Sequence, residues 1–456
     1  MALHPLAVLR TSIGLSHPAY ARLVARTHAE LGFGQMAARR EKVSRWESGR
    51  IAPETTAQLA IAHIHDIPQD DVLRLGWPHW LLPATGDTSL LTRPWTADGA
   101  IAAINSLPLA AGPCAAHLTV TGPVLAAQIR AALTCLSDAP RSCSASGHPA
   151  LAKTLAWTGT RLRALEALEA GTPIPVAALH TAAEAEYDLI TPLLTAHGPD
   201  SPDGSRLLLL AARAAALRAW LCGAQGEETW AERYALAALR AAAAAGSRRH
   251  TAAYLSQLAV RHLRFGDPGD ALALMAAART VLPRPAPRLA AALESREARS
   301  LAAFGDAGEA VRALERAGRA LRGAPPWHTD AQPSCAAVDE RYLALAHGNT
   351  WLLLGRAERA LAYFESAPDA APAHRSPHLG ERLRAVVVAR LELGDADAAA
   401  TDIDHALALV GRLSPCLQEW FGERLAPHAH RPAVAGTLTR LSPPARMPLQ
   451  EALPER

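Results

Sequence analysis

Aromatic residues are scarce, with Phe, Trp and Tyr together only 5% of 456 residues. Sheets lean on aromatic and β-branched side chains, so this chain, dominated by alanine, favours helices packed through small side chains. An excess of one charge is also missing. A net charge of +3 excludes a molecule-wide attraction for nucleic acid, so any affinity for phosphate must come from a local patch. Lysine is almost absent, limited to Lys42 and Lys153. The six cysteines, Cys114, Cys135, Cys143, Cys222, Cys335 and Cys416, form no CxxC and no cysteine–histidine spacing suited to zinc. They read as free thiols in a reducing compartment. No uninterrupted apolar run reaches about 18 residues, and the first residues lack a charged start before a long apolar core. No membrane span and a cytoplasmic location are expected.

Catalytic constellations are lacking too. "GFGQMA", from Gly32, has neither the preceding strand nor the third glycine of a dinucleotide loop, and GxxxxGK[ST] does not occur. The pairs His63/His65 and His428/His430 are two residues apart, which on a helix points them to different faces. The carboxylates of "EAEYD", Glu184 to Asp188, read as a solvated helix face, and Tyr187 as core or groove lining. No enzyme activity, catalytic residue, cofactor or metal site is expected.

What is present is a long alanine, leucine and arginine stretch with helical periodicity and an internal repeat. Gly226, Gly266, Gly305, Gly355 and Gly394 stand 40, 39, 50 and 39 residues apart. Five residues after each comes alanine: Ala231, Ala271, Ala310, Ala360 and Ala399. Nine after comes a larger apolar residue in four of five cases: Ala235, Met275, Leu314, Phe364 and Ile403. Twelve after comes alanine again: Ala238, Ala278, Ala317, Ala367 and Ala406. Seven before comes a small or short residue: Ala219, Ala259, Ala298, Gly348 and Val387. Glycine just past a helix supplies a left-handed C-cap, and the Asp of "GDPGDA", "GDAGEA" and "GDADAA" can cap the following helix. The offsets place three side chains on one stripe of that helix, so each unit is a hairpin that buries its stripe only by stacking on neighbours. A degraded sixth unit surrounds Gly171, with Ala164, Val176 and Ala183 in register. The pattern resembles the tetratricopeptide repeat, with longer periods than the usual ~34 residues and without that family's signature tryptophan and proline. Such arrays hold peptides or protein segments in a concave groove, or serve as dimerisation scaffolds.

The first eighty residues divide at plausible caps. A first helix is expected in "HPLAVLRTSI" and a second after Ser16, with Pro18 near its first turn. After the break at Gly32 to Gly34, a third helix is expected in "QMAARREKVSRWESGR", ended by Gly49. A fourth begins near Pro53 and a fifth at Pro68. On the third helix Met36, Val43 and Trp46 form an inward stripe at i, i+7 and i+10, while Glu41, Lys42, Ser44 and Arg45 face solvent. Arg39 and Arg40 flank that face near the first turns, and Arg50 lies just past the end. Exposed cations on a helix suit the major groove, where arginine and lysine bind guanine edges or phosphates.

The stretch "VSRWESGRIAPE", Val43 to Glu54, resembles the Xre-type, or λ-repressor-like, helix-turn-helix domain in its order hydrophobic, Ser, basic, Trp, Glu, any, Gly, basic, Pro. The resemblance implies that Arg40, Glu41, Lys42, Ser44 and Arg45 face base edges or nearby phosphates, with Arg39 alongside. It implies a backbone phosphate for Arg50, a core position for Trp46 and a structural partner for Glu47. One departure is the segment "ARTHAELGFGQMA", about ten residues longer than the family's three- or four-residue turn. It leaves the first residue of the recognition helix open. With the Trp-Pro junction "LGWPHWLL", Leu75 to Leu82, and the alanine-rich body, the chain is similar to a large group of regulators of high-GC filamentous bacteria. That similarity implies transcriptional control of development, secondary metabolism or mobile elements.

The expected architecture is all-α. A five-helix helix-turn-helix bundle spans residues 1–80, and a linker spans 81–98. A tetratricopeptide-like α-solenoid occupies 99–425, clearest over 206–425, before a Pro-rich tail at 426–456 that is ordered in part. The expected function is sequence-specific DNA binding to a palindromic operator by a homodimeric transcriptional regulator, whose repeat groove senses a peptide, protein or small molecule. The alternative is a repeat-based adapter whose helix-turn-helix head no longer reads DNA. No membrane partner is expected.

Overall fold

The computed structural model describes residues 4–48, 51–81, 90, 93–107, 121–139, 149–168, 176–199, 201, 203–325, 338–366 and 379–441. Among these, every regular element is helical, as the shortage of strand-forming side chains requires.

The head holds α1 (Pro5–Ser12), α2 (His17–Glu30), α3 (Arg40–Glu47), α4 (Thr55–Ile64) and α5 (Gln69–Leu75). The expected breaks fall in place, although Ser16 caps α2 by position without a side-chain hydrogen bond. Leu6, Tyr20, Val24, Val43, Trp46, Ile61, Trp80 and Leu81 share one buried core. The junction belongs to this core: the Trp80 Nε1–H donates to Gln58 Oε1 at 3.0 Å.

In the body, α6 (Ala97–Ser106), α7 (Gly122–Asp138), α8 (Pro149–Leu168) and α9 (Val176–His197) pack onto the first of five hairpins. The hairpins are α10 (Gly204–Ala224) with α11 (Glu228–Ala244), α12 (Arg248–Phe265) with α13 (Pro268–Val281), and α14 (Pro287–Phe304) with α15 (Ala307–Arg322). They continue with α16 (Glu340–Leu353) and α17 (Ala357–Ser366), then α18 (Leu379–Glu392) and α19 (Ala396–Val410). Each repeat glycine sits between the two helices of a hairpin. Four adopt positive φ, from +69° at Gly355 to +98° at Gly305. Gly266 instead has φ −131°, because Pro268 holds Asp267 extended and the chain leaves α12 by an extended step. Asp267, Asp306 and Asp395 accept from the backbone N–H of Gly269, Glu309 and Ala398 at 2.7, 3.0 and 3.1 Å, capping the second helices.

The stripe residues at offsets five and nine are buried in all five hairpins, as are Ala238, Ala278, Ala317 and Ala406 at offset twelve. Ala367 lies outside the described residues. The small residue seven before the glycine is buried each time, and its smallness is a packing requirement at Gly348. A Cβ there would stand 2.2 Å from the Phe364 ring. Of the sixth unit, Ala183 is buried and Ala164 exposed; Gly171 and the Val176 side chain lie outside the described residues.

The first helices succeed one another and then close: α12 meets α14, α14 meets α16, α16 meets α18, and α18 returns to α10. Glu228 joins the ends, accepting from Arg261 Nη1 at 3.2 Å and Arg384 Nη1 at 2.7 Å. Arg299 pairs with Glu381 at 3.5 Å between α14 and α18. Charged side chains thus link the helices of this turn.

One expectation is corrected. Glu186 of "EAEYD" is buried and paired with Arg161, because Tyr187 beside it anchors α9 inward by donating to Ile104 O at 2.7 Å. In the C-terminal segment α20 (Pro415–Leu425) is followed by α21 (Pro432–Leu441), which buries Val434, Thr437 and Leu441 against the last hairpin; residues 442–456 lie outside the described residues. Among the described residues one helix, α10, is long and apolar enough to cross a membrane, and it is mostly buried in the body.

Candidate nucleic-acid interface

An eight-residue helix is marginal alone, so the pose of α3 depends on what it is fastened to. Val43 and Trp46 are buried in the head core. The next residue, Glu47, is the polar fastener: Arg10 of α1 donates to its Oε1 through Nε at 2.6 Å and to its Oε2 through Nη2 at 3.1 Å. Arg10 Nη1 donates in turn to the Leu15 carbonyl at 2.6 Å. His17, at the start of α2, lies 2.8 Å from Glu47 Oε2 through Nε2. One carboxylate therefore ties the end of α3 to α1, to the α1–α2 turn and to α2. Both partners of the Arg10–Glu47 pair are about nine-tenths buried, where a bidentate pair with further hydrogen bonds holds geometry well.

The extra residues before α3 resolve into two parts. The second helix runs to Glu30, and residues 31–39 form a loop before the helix begins at Arg40. Gly32 and Gly34 turn it with φ of +80° and +87°, values a side chain strains to adopt. His28 pins it: Nδ1 is 2.9 Å from the Gly34 carbonyl and Nε2 is 3.0 Å from Thr56 Oγ1. A carbonyl only accepts, so Nδ1 carries hydrogen, and in the neutral ring Nε2 accepts from the hydroxyl. Met36 reaches the head core from this loop and not from α3, which corrects the expected i, i+7, i+10 stripe. The third helix is shorter than "QMAARREKVSRWESGR" because its first five residues belong to the loop.

Arg39, Arg40, Glu41, Ser44 and Arg45 are exposed and Lys42 is half-buried. The Arg40 Nε–H donates to Glu41 Oε1 at 3.1 Å in an exposed pair. The backbone N–H of Glu41, then Arg40, hold the Glu41 carboxyl below its ordinary range. Arg50 lies outside the described residues.

No family model, curated protein or solved structure matches the chain.

The face that α3 turns outward carries three cations, Arg40, Lys42 and Arg45, beside the hydroxyl of Ser44 and the carboxylate of Glu41; guanidinium and ammonium groups in general can donate to guanine edges or phosphates, and a carboxylate can accept from cytosine N4. Sequence reasoning gave Glu47 a structural role and missed its partners, 37 and 30 residues upstream. It also missed His28, whose only sequence signal is a histidine next to the glycine break.

Proposed function

We propose that this chain is a sequence-specific DNA-binding transcriptional regulator with an Xre-type head and a tetratricopeptide-like body. The observation that carries the reading is the two-sidedness of α3. Val43 and Trp46 are buried and Glu47 is locked by Arg10 and His17, while Arg40, Glu41, Ser44 and Arg45 face solvent and Lys42 is half-exposed. A helix held from behind and cationic in front is what major-groove reading needs. The body dimerises the regulator, since one short helix reads few bases and paired half-sites about one DNA turn apart supply the rest. Its hairpins take up a peptide, protein or small effector. Because ion pairs link α11 to α12 and α18, and α14 to α18, around the closed turn, an effector must displace or exploit Glu228, Arg384 and their neighbours.

Selection of genomic fragments on the full chain at two salt concentrations tests the reading. Enrichment of a palindrome whose affinity falls steeply with salt supports it. Retention of no DNA at low salt, together with capture of a protein through the body, would favour the adapter with a head that does not read DNA. Alanine at Arg40, Lys42 and Arg45 together removes the enrichment. If it persists undiminished, α3 is not the reading element.

A further inference from the structure

Three side chains with metal-ligand chemistry, far apart in sequence, meet at the end of the first hairpin. His180 stands on α9, Cys222 near the end of α10, and Glu227 is the N-cap residue of α11. Their ligand atoms lie within 4.8 Å of one another, and Cys222 Sγ is 3.6 Å from His180 Nε2. A tetrahedral zinc with Zn–S of about 2.3 Å and Zn–N of about 2.05 Å has an S···N edge of about 3.6 Å. Thiolate and imidazole therefore already stand at the spacing of two corners of a zinc tetrahedron. Rotation of the Glu227 carboxylate brings the third. We propose that His180, Cys222 and Glu227 form a binding site for Zn2+ or a similar borderline-soft dication, with water in the fourth position, which staples α9 to the α10–α11 turn.

The turn is built to hold its place. The Glu227 N–H donates to the Cys222 carbonyl at 2.9 Å. Gly226 has φ +81°, and a Cβ there would stand 3.3 Å from the Cβ of Cys416 on α20. Ser414 donates to the Gln225 carbonyl, and Gly380 of α18 packs against the Ala224 carbonyl, 2.7 Å from where a Cβ would point.

The donor set suits the ion. Sulfur, nitrogen and oxygen together favour zinc over magnesium or calcium. Imidazole ligates in its neutral form and cysteine as the thiolate. On binding, the S–H bond breaks, the metal–sulfur bond forms and the proton leaves to solvent. Thiolate and carboxylate then balance the dication. The neighbouring cations have partners of their own: Arg218 pairs with Glu184 at 3.1 Å and donates to the Tyr234 hydroxyl at 2.9 Å, and Arg261 pairs with Glu228. Spacing rules in the sequence miss the site because its residues come from two helices and a turn.

Titrating the metal-stripped full chain with Co2+ tests the proposal. The expected result is saturable binding with a thiolate-to-cobalt charge-transfer band and tetrahedral d–d absorption, displaced by Zn2+, with a proton released. The band is lost in Cys222→Ser and kept in Cys416→Ser, while Glu227→Gln keeps it and weakens affinity by roughly tenfold or more. Absence of the band in the native chain overturns the proposal, and so does its survival in Cys222→Ser. If Cys222→Ser does not fold, unchanged cobalt affinity in Glu227→Gln, at a half-buried turn position, overturns it equally.

Discussion

The head and the body solve opposite packing problems. The head holds one short helix, α3, with large side chains such as Tyr20, Trp46 and Trp80 and with specific polar ties at Glu47, His28 and Gln58. The body repeats a hairpin, and it buries alanine at the same register, with a larger residue, Met275, Leu314, Phe364 or Ile403, at one fixed offset of each later unit. Small stripes let backbones approach, so energy is spread over many equivalent contacts. Large anchors concentrate it in a few that cannot be exchanged. A helix that must hold one pose suits the second regime and an array the first.

The sharpest break in this contrast lies within the body, at Phe364, a large ring that fills the space beside Gly348. Phe364→Ala empties the space that Gly348 leaves for the ring and is expected to cost about 3–5 kcal/mol. Chemical denaturation of the full chain measures it. Restoring volume from the other side by Gly348→Ala on the same background should recover part of the loss. In the native background Gly348→Ala should destabilise by about 1–3 kcal/mol, because its Cβ meets the ring.

In the head the matching experiment is Glu47→Ala, expected to cost about 3 kcal/mol by leaving the buried Arg10 guanidinium with only the Leu15 carbonyl. The distinguishing result is in the pose of α3. DNA affinity should fall although every outward cation remains, whereas Phe364→Ala should leave DNA affinity intact once the chain is folded. Equal effects of both variants on DNA binding would erase the distinction between a tethered helix and a distributed array.

Legibility in the sequence followed the same division. The hairpins were readable because alanine and glycine recur at fixed offsets, and each recurrence reports a local necessity: a helix end, a cap, a close approach. The head was readable at Val43, Trp46 and the outward cations, which obey helical periodicity, and unreadable at residues 35–39. There "QMAAR" has good helical propensity, yet His28 holds the nearby Gly34 carbonyl and Met36 packs as loop, so tertiary contacts override propensity. Arg10, His17 and His180 escaped because their partners, Glu47 for the first two and Cys222 for the third, lie 30 or more residues away on other elements. Glu186 was misplaced because periodicity gives the direction of a side chain but not the neighbour, Arg161, that makes its burial tolerable.

Acid should separate the two regions gradually, by an amount that grows as the pH falls. Burial, with Arg213 and Arg249, lowers the His250 pKa to about 3, and burial lowers His180, His262 and His347 in the body. In the head, burial lowers His65. Above the unfolded pKa of ~6.5 neither state binds these protons and stability is unaffected. Below it the unfolded chain takes up a proton that folded His250 refuses. Stability should then fall by about 1.4 kcal/mol per pH unit from this residue alone, until about pH 3. Urea midpoints followed at separate head and body tryptophans should show the body weakening first, and His250→Gln should flatten its slope.

The smallest effect on stability is expected where the functional effect is largest. Alanine at Arg40, Lys42 and Arg45 removes side chains that the core does not use, and the melting transition should move by no more than about 0.5 kcal/mol. The same variant should lower the slope of log affinity against log salt by about 0.9 for each phosphate that is no longer neutralised. A phosphate-only role would weaken all sequences alike, whereas loss of base readout flattens the preference for the palindrome over mismatched sites, each mismatch being worth about 1–3 kcal/mol in the native chain. Comparing operator and scrambled DNA across salt separates the two. A large loss of stability instead would mean that the outward face of α3 is structural, and that head and body are built on the same principle after all.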